Sequence, residues 1–398
     1  MINWKLKNRN LQPIGLDMGH NSVKMIQLAI NDGHVSIVAA DKVRVEPGIN
    51  GDEQARRSFV ISAIRQMLSG GKFSGRSVVS CLPNDRLKIT SVRLAESEKE
   101  EIGQSLQKEA AQRFGLNPDE DVINFLAAGS VRQGDDVKNE LILLACDNES
   151  IKEHIALLEE AGLRPAGIDA LPCALFRGFE RSLRRQEDRE HTAVFVDVGS
   201  RFTTVVFGRG GEISFVKQIP IGGEKFNREI ASKLGVSIDE AETLRGKLRL
   251  ERTASVEGSS RLVGQESVSG GSEGVISGED SDAVCLDAST RQVMVDAIGA
   301  VAEELAREIS LCFRYYTVTF RGKRVERAVF SGGEAYEKIL LNVLRRELTV
   351  EVEVAQPLRG FDMTNVNFDS DRRGLLCEWA VAVGCGLKGR DDSGGDEA

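Results

Sequence analysis

Three short stretches of this chain could do chemistry together. Ile14-Gly15-Leu16-Asp17-Met18-Gly19-His20-Asn21-Ser22-Val23-Lys24 ends an apolar run in an aspartate, turns at a glycine and enters a second apolar run. Val194-Phe195-Val196-Asp197-Val198-Gly199-Ser200-Arg201-Phe202-Thr203-Thr204 repeats that plan about 180 residues later. Phe330-Ser331-Gly332-Gly333-Glu334 is a third glycine turn after an apolar run. A glycine turn at a strand end leaves backbone N–H groups pointing one way, a nest for phosphate oxygens. Two aspartates facing each other across such turns suit a Mg²⁺ ion held mainly through water. Asp17 and Asp197 would flank the metal, and Lys24 would reach back to a phosphate as a point charge. Ser22, Thr203 and Thr204 offer hydroxyls. Gly332 and Gly333 let an adenine or ribose ring pass close to the backbone, and Glu224 and Lys225, at a helix start, would flank the nucleoside.

Taken singly, each element has a plain reading. A lone Asp-x-Gly is ordinarily a turn, glycine pairs after strands are common, Lys24 alone reads as a solvated strand residue, and His20 as a turn residue. The inference rests on the order and spacing of all three.

The elements that must position these residues follow from apolar periodicity. A meander over the first 40 residues precedes an amphipathic helix, Asp52 to Leu68, with Ala55, Phe59, Ala63 and Met67 at four-residue spacing; Arg76–Leu82 is a strand. Residues 88–145 read as a small α+β insertion: a strand at 87–94, a helix opened by the capping box Ser97-Glu98-Lys99-Glu100, and strands at 122–128 and 140–146. A helix at 151–161 returns to the first unit, and 181–190 reads as an exposed helix end or linker. The second half repeats the meander at 193–198, 202–207 and 213–218, with helices on Phe226, Ile230 and Leu234 and at 237–248. Residues 251–284, rich in Ser, Gly and Glu, cannot bury enough surface to offset their ordering entropy, and are expected to be a disordered insertion. A long helix near 291–316, a strand at 326–330, a helix at 336–348, a strand at 350–354 and a last element at 379–384 complete the chain. The expected division is a first lobe at 12–190, a second at 191–389 with a subdomain at about 224–324, and an acidic tail at 390–398. A duplication this long is no solenoid period; it describes two copies of one α/β domain around a shared cleft.

Composition narrows the function. With 52 basic and 61 acidic residues in 398, the net charge of −9 argues against generic nucleic-acid binding. Seven cysteines form no Cys-x-x-Cys pair, several of them sit inside apolar runs and read as buried reduced thiols, and four scattered histidines give no zinc spacing. No run approaches the roughly 20 apolar residues of a membrane span, and the start lacks a signal peptide's apolar segment. A cytoplasmic protein is expected.

The three glycine turns resemble the two phosphate loops and the adenosine loop of the actin-like ATPase superfamily. Within it, the chain is most similar to the PilM family of type IV pilus assembly proteins. Ile14-Gly15-Leu16-Asp17, Leu157-Leu158-Glu159-Glu160-Ala161-Gly162-Leu163-Arg164-Pro165, Pro220-Ile221-Gly222-Gly223-Glu224, Phe330-Ser331-Gly332-Gly333 and Ala382-Val383-Gly384 carry the resemblance. It implies an α/β actin-like ATPase fold: two duplicated ribonuclease-H-like lobes around a nucleotide cleft, with 88–145 as a 1C-type subdomain. It also implies ATP and Mg²⁺ bound by Asp17, Gly19, His20, Asn21, Ser22 and Lys24, then Asp197, Gly199, Ser200, Arg201 and Thr203, then Gly223, Glu224, Lys225, Gly332, Gly333 and Glu334. The implied partner is the cytoplasmic tail of a PilN-like inner-membrane protein, with other pilus assembly proteins beside it; attachment to the membrane is through partners, and self-association stays open. The chain departs from the family in placing His20-Asn21 where small serines are usual, in having no glutamate within Ala170–Leu175, and in the insertion at 251–284.

The leading expectation is an ATP-dependent scaffold, with no clear general base and at most slow hydrolysis. The alternatives are an actin-fold phosphotransferase, which would need a base near an acceptor hydroxyl, and an FtsA-like filament-forming division protein, disfavoured by the acidic end Asp391-Asp392-Ser393-Gly394-Gly395-Asp396-Glu397.

Overall fold

The computed structural model describes residues 10–46, 48–95, 99–133, 136–180, 192–261, 286–320, 324–366, 368 and 376–390. Its first sheet contains β1 (Asn10–Met18), β2 (Ser22–Asn31), β3 (His34–Arg44), β4 (Ser77–Cys81) and, after the insertion, β8 (Arg164–Asp169). They lie in the order β3-β2-β1-β4-β8. The first three are antiparallel, while β4 and β8 run parallel to β1. The second sheet contains β9 (Thr192–Val198), β10 (Thr203–Arg209), β11 (Glu212–Ile219), β12 (Val325–Ser331) and β13 (Glu351–Val354). Its order, β11-β10-β9-β12-β13, has the same pattern of directions. The repeat seen in the sequence is therefore a repeat of topology.

Both sheets are covered on two sides, so their inner strands read as apolar runs rather than as alternating ones. In β2, Val23 and Met25 pack against Ile61 and Ile64 of α1 (Glu53–Ser69), while Ile26 and Leu28 join Ala382 and Val383 of the final helix. Asp52 caps α1 by accepting from the Gln54 and Ala55 amides.

The insertion is a separate sheet in the order β5-β7-β6, built from β5 (Lys88–Ala95), β6 (Val122–Gln133) and β7 (Asp136–Cys146). The helix α2 (Lys99–Phe114) packs on it through Ile102, Leu106 and Ala110. β6 and β7 are longer than the periodicity suggests, because the hairpin extends past the apolar part of each strand. Its other face does not rest on the first sheet. Ala128, Val131, Ile142 and Leu144 join the core of the second sheet, and Glu140 pairs with Arg93 at 2.6 Å beside Tyr315.

The halves also exchange helices. After α3 (Asn148–Glu160) and β8, α4 (Leu171–Glu180) crosses to the second sheet, where Phe179 stacks on Phe195 with centroids 5.0 Å apart. The last helix, which becomes α9 (Ala380–Leu387) in chain order, crosses back to the first sheet. Gly15 permits this approach: a β-carbon there would lie 2.1 Å from the Ala382 carbonyl oxygen.

Between β11 and β12 come α5 (Gly223–Leu234), α6 (Ile238–Arg261) and the 32-residue α7 (Ala288–Thr319). Residues 251–261, expected to be disordered, continue α6 as helix, a correction whose physical source is propagation from a helix already nucleated. Residues 262–284 of that expectation, the linker at 181–190, Ser97-Glu98 of the capping box and the tail from 391 lie outside the described residues. After β12, a 3₁₀ turn at Gly333–Tyr336 precedes α8 (Lys338–Glu347), capped by Glu337. Among the described residues no helix is long and apolar enough to cross a membrane.

Candidate functional site

The two acid-and-glycine turns occupy equivalent places. In each, the aspartate sits at the end of the first strand of its meander, opposite a residue of the second: Asp17 opposite Lys24, Asp197 opposite Thr204. The bends match as well. A β-carbon on Gly19 would meet the Ser22 carbonyl oxygen at 3.1 Å, and one on Gly199 would meet that of Phe202 at 3.1 Å.

Both turns open on one cavity of about 1960 Å³. Asp17, Gly19, His20, Asn21, Ser22 and Lys24 line it from the first half, and Asp197, Gly199, Ser200 and Arg201 from the second. Gly332, Gly333 and Glu334 close it. Gly332 has a φ of 91°, and a β-carbon there would lie 2.4 Å from the Val198 carbonyl oxygen, so this loop needs glycine to lie against the end of β9.

Electrostatics at the cavity floor centre on the two acids. Burial, then the nearby Asp17 charge, pushes the Asp197 carboxyl up to about 6, against the pull of Lys24 and a 3.3 Å bond from the Ser331 hydroxyl. Lys24 donates to Asp17 Oδ2 at 2.7 Å. Burial works against its ammonium, but Asp17, Glu378 and Asp197 together outweigh that and hold its pKa above the ordinary value. The lysine is thus committed to the acid pair rather than extended toward a distant anion.

Two guanidiniums, Arg56 and Arg201, stand beside the first and second glycine turns. Arg56, in the first turn of α1, donates to the His20 and Gly19 carbonyl oxygens at 2.9 Å each. Burial, then Arg201 and Arg56, pushes the His20 imidazole down to about 4, so it stays neutral. Arg56 was invisible in the sequence, where it reads as a polar position of an amphipathic helix.

Several sequence-nominated residues are not delivered to the cavity. Thr203 is fully buried and donates to the Ile221 carbonyl oxygen at 2.7 Å. Consecutive strand residues point to opposite faces, and Thr204, the strand partner of Asp197, is buried too, accepting from Asn84 Nδ2 at 3.3 Å, so neither threonine lines the cavity. Glu224 pairs with Arg201 and Arg228, and Lys225 pairs with Glu304 at 2.5 Å; both line a shallow hollow on the second half instead. Gly223 is buried beneath Glu334, and a β-carbon on it would lie 2.2 Å from Glu334 Oε1. The Glu334 carboxylate is itself taken, paired with Arg245 at 2.5 Å and with Arg249; Arg249 also holds Glu337 at 2.9 Å. Arg249 lines the cavity there, a second residue the sequence pattern missed because it lies one position past the expected end of the helix at 248.

A family model for type IV pilus assembly protein PilM matches residues 15–256 of this chain. The chain belongs to the PilM family. A chain of a PilM-PilN type IV pilus biogenesis complex superposes with a TM-score of 0.71 at 20% identity, over 96% of this chain and 99% of that one, so this family member shares its fold. A model for cell division protein FtsA matches residues 194–370. FtsA of Streptococcus pneumoniae is 25% identical over 252 residues, 58% of this chain and 54% of the relative. FtsA of Escherichia coli K12 is 23% identical over 193 residues, 46% of this chain and 44% of that protein. The chain spans about half the length of the curated relatives it matches. The architecture is the actin-like ATPase fold with a three-stranded insertion.

Proposed function

We propose that the cleft binds ATP with Mg²⁺ and that the chain is a cytoplasmic scaffold of a type IV pilus or related secretion machine, docking the cytoplasmic tail of a PilN-like inner-membrane protein. The observation that carries the nucleotide reading is the convergence of Asp17 and Asp197, from two equivalent turns, on one cavity that Arg56 and Arg201 also line. Among the described residues no three His, Cys, Asp or Glu side chains come together to cage a metal. Mg²⁺ keeps waters and rides on phosphate oxygens with one or two carboxylates, which Asp17 and Asp197 would supply. The backbone of the glycine turns at 19, 199 and 332 lines the cavity where phosphates would sit, bent so closely that a β-carbon there would meet a neighbouring carbonyl oxygen, while Arg56 and Arg201 would meet the phosphate charge. Bound phosphates would touch both halves only when these are near each other, so the nucleotide favours a closed arrangement.

Membership of the PilM family, and the fold shared with a chain of a PilM-PilN complex, support the partner. We place its tail in the groove between the first half and the insertion; a pull-down in which deleting 88–145 leaves tail binding intact would refute that placement. For the nucleotide, saturating Mg-ATP should raise the melting temperature of the wild type, and Asp17→Ala and Asp197→Ala should each abolish the rise. An unchanged rise in both variants rules out this cleft.

A further inference from the structure

The segment joining β4 to β5 is the stem through which the chain leaves the first sheet for the insertion, and it touches everything around it. Leu82 donates its amide to the Asp169 carbonyl oxygen, and the Arg86 and Leu87 amides both return to that of Pro83, at 3.0 and 3.2 Å, which folds 83–87 into a tight turn. Asn84, half-buried, reaches the second sheet. Its Nδ2 donates to Thr204 Oγ1 at 3.3 Å, and Gln218 Nε2 donates to its Oδ1 at 3.2 Å. Thr204 and Gln218 are strand partners, and Thr204 is the partner of Asp197, so Asn84 rests on the row of side chains that carries the second acid.

The next residue faces the second turn. Asp85 Oδ2 lies 3.9 Å from Arg201, whose Nε is 3.4 Å from Glu224. Arg86 holds the first half instead: it donates to Glu53 Oε1 of α1 at 2.9 Å and to Ser150 Oγ of α3 at 3.4 Å. Ser150 belongs to the first turn of α3, the return stem of the insertion, whose cap is Asp147. Three consecutive side chains therefore tie the second sheet, the second glycine turn and both stems of the insertion.

We propose that Asn84 and Asp85 form a latch that makes the insertion respond to what is bound at the second glycine turn. The latch rests on the nucleotide reading of the cleft and adds to it the route by which the groove beside the insertion learns of the phosphates. Asp85 and phosphate oxygens compete for the Arg201 guanidinium. When phosphates take it, Asp85 loses its partner and the turn at 83–87 is held across the cleft by Asn84 alone. Movement of the second sheet then reaches β5 through Asn84 and Arg86. Such coupling needs a contact that differs between two states, and the Arg201–Asp85 pair supplies one.

Hydrogen exchange on the full chain, with and without saturating Mg-ATP, tests this together with an ATP titration. In the wild type, Mg-ATP should change amide exchange across Lys88–Ala95 by at least about two-fold, and Asn84→Ala should remove that change. Asp85→Asn, which leaves Arg201 paired with Glu224 alone, should tighten ATP binding by about two- to five-fold, the range for an exposed ion pair. If the wild type binds ATP but 88–95 does not respond, or responds equally in Asn84→Ala, the latch is wrong and the nucleotide site stands. Unchanged affinity in Asp85→Asn removes the competition for Arg201. A wild-type chain that binds no ATP overturns both readings.

Discussion

The crossing of α4 and α9 can be tested by a graded series of glycine substitutions. Each helix packs on the sheet of the opposite half, so their crossing is where the halves are joined. A β-carbon on Gly384 would lie 1.7 Å from the Ala174 carbonyl oxygen, and one on Gly178 would lie 2.8 Å from that of Ala380. To restore a 3.0 Å separation the backbones must part by about 1.3 Å at the first site and about 0.2 Å at the second. Gly299, in the middle of α7, has nothing within 4 Å of its β-carbon position. Alanine in a helix is favoured over glycine by about 0.8–1 kcal/mol, and this gain applies at all three sites. At Gly299 nothing opposes it, so Gly299→Ala should stabilise by roughly 0.5–1 kcal/mol. At Gly178 the shift of about 0.2 Å that the contact demands outweighs the gain, leaving a net cost of about 1 kcal/mol. At Gly384 two rigid backbones collide, and overpacking of this kind costs about 3 kcal/mol or more. Urea denaturation followed by tryptophan fluorescence and far-UV dichroism measures all three. Because two lobes can unfold separately, the first transition is the one to compare. The order Gly299→Ala above wild type, Gly178→Ala slightly below and Gly384→Ala far below is expected. A Gly384→Ala protein as stable as Gly178→Ala would refute the close crossing, and with it the view that the halves are coupled at these helices.

Two further outcomes follow from single residues. His154 is buried, receives or donates a 2.8 Å bond with Ser80 Oγ, and has its pKa pushed down to about 4 by burial. A depressed histidine contributes stability that is present above its unfolded value of 6.5 and lost as pH falls toward 4. By pH 5 that loss is about 2 kcal/mol, and His154→Gln should flatten this part of the denaturation profile; a profile as steep in the variant as in the wild type would show that another group titrates. Thr203→Val leaves the buried Ile221 carbonyl oxygen without its donor and should cost about 1–2 kcal/mol while leaving the ATP dissociation constant unchanged. A large loss of ATP affinity would return Thr203 to the cleft.

What was legible in the sequence was local. Strand runs ending in Asp17 and Asp197, each followed by a glycine bend, were readable because apolar periodicity and turn chemistry act over a few residues. The adjacency of Thr203 and Thr204 was readable too, yet only packing shows that both are buried, Thr203 on the Ile221 carbonyl oxygen and Thr204 beneath Asn84. The end of α6 was misplaced because Ser- and Gly-rich composition favours disorder while a preceding helix favours its own extension. Glu224 and Lys225 were assigned by their helix start, but their salt bridges turn them toward the surface of the second half.

The sequence by itself determined that one α/β unit occurs twice, that each copy ends its first strand in an acid and a glycine, and that these turns match a known family. Tertiary structure alone decided that α4 and α9 change sides, that the insertion leans on the half it does not belong to in chain order, and that Lys24 is held by Asp17. It also decided that Arg56, Asn84 and Arg249 stand at the cavity. The physical reason is reach: periodicity and turns are set by neighbours along the chain, whereas a guanidinium or amide meets its partner only after residues tens to hundreds apart have packed. Lys42 bonding Glu378 at 2.6 Å, across nearly the whole chain, is such a contact.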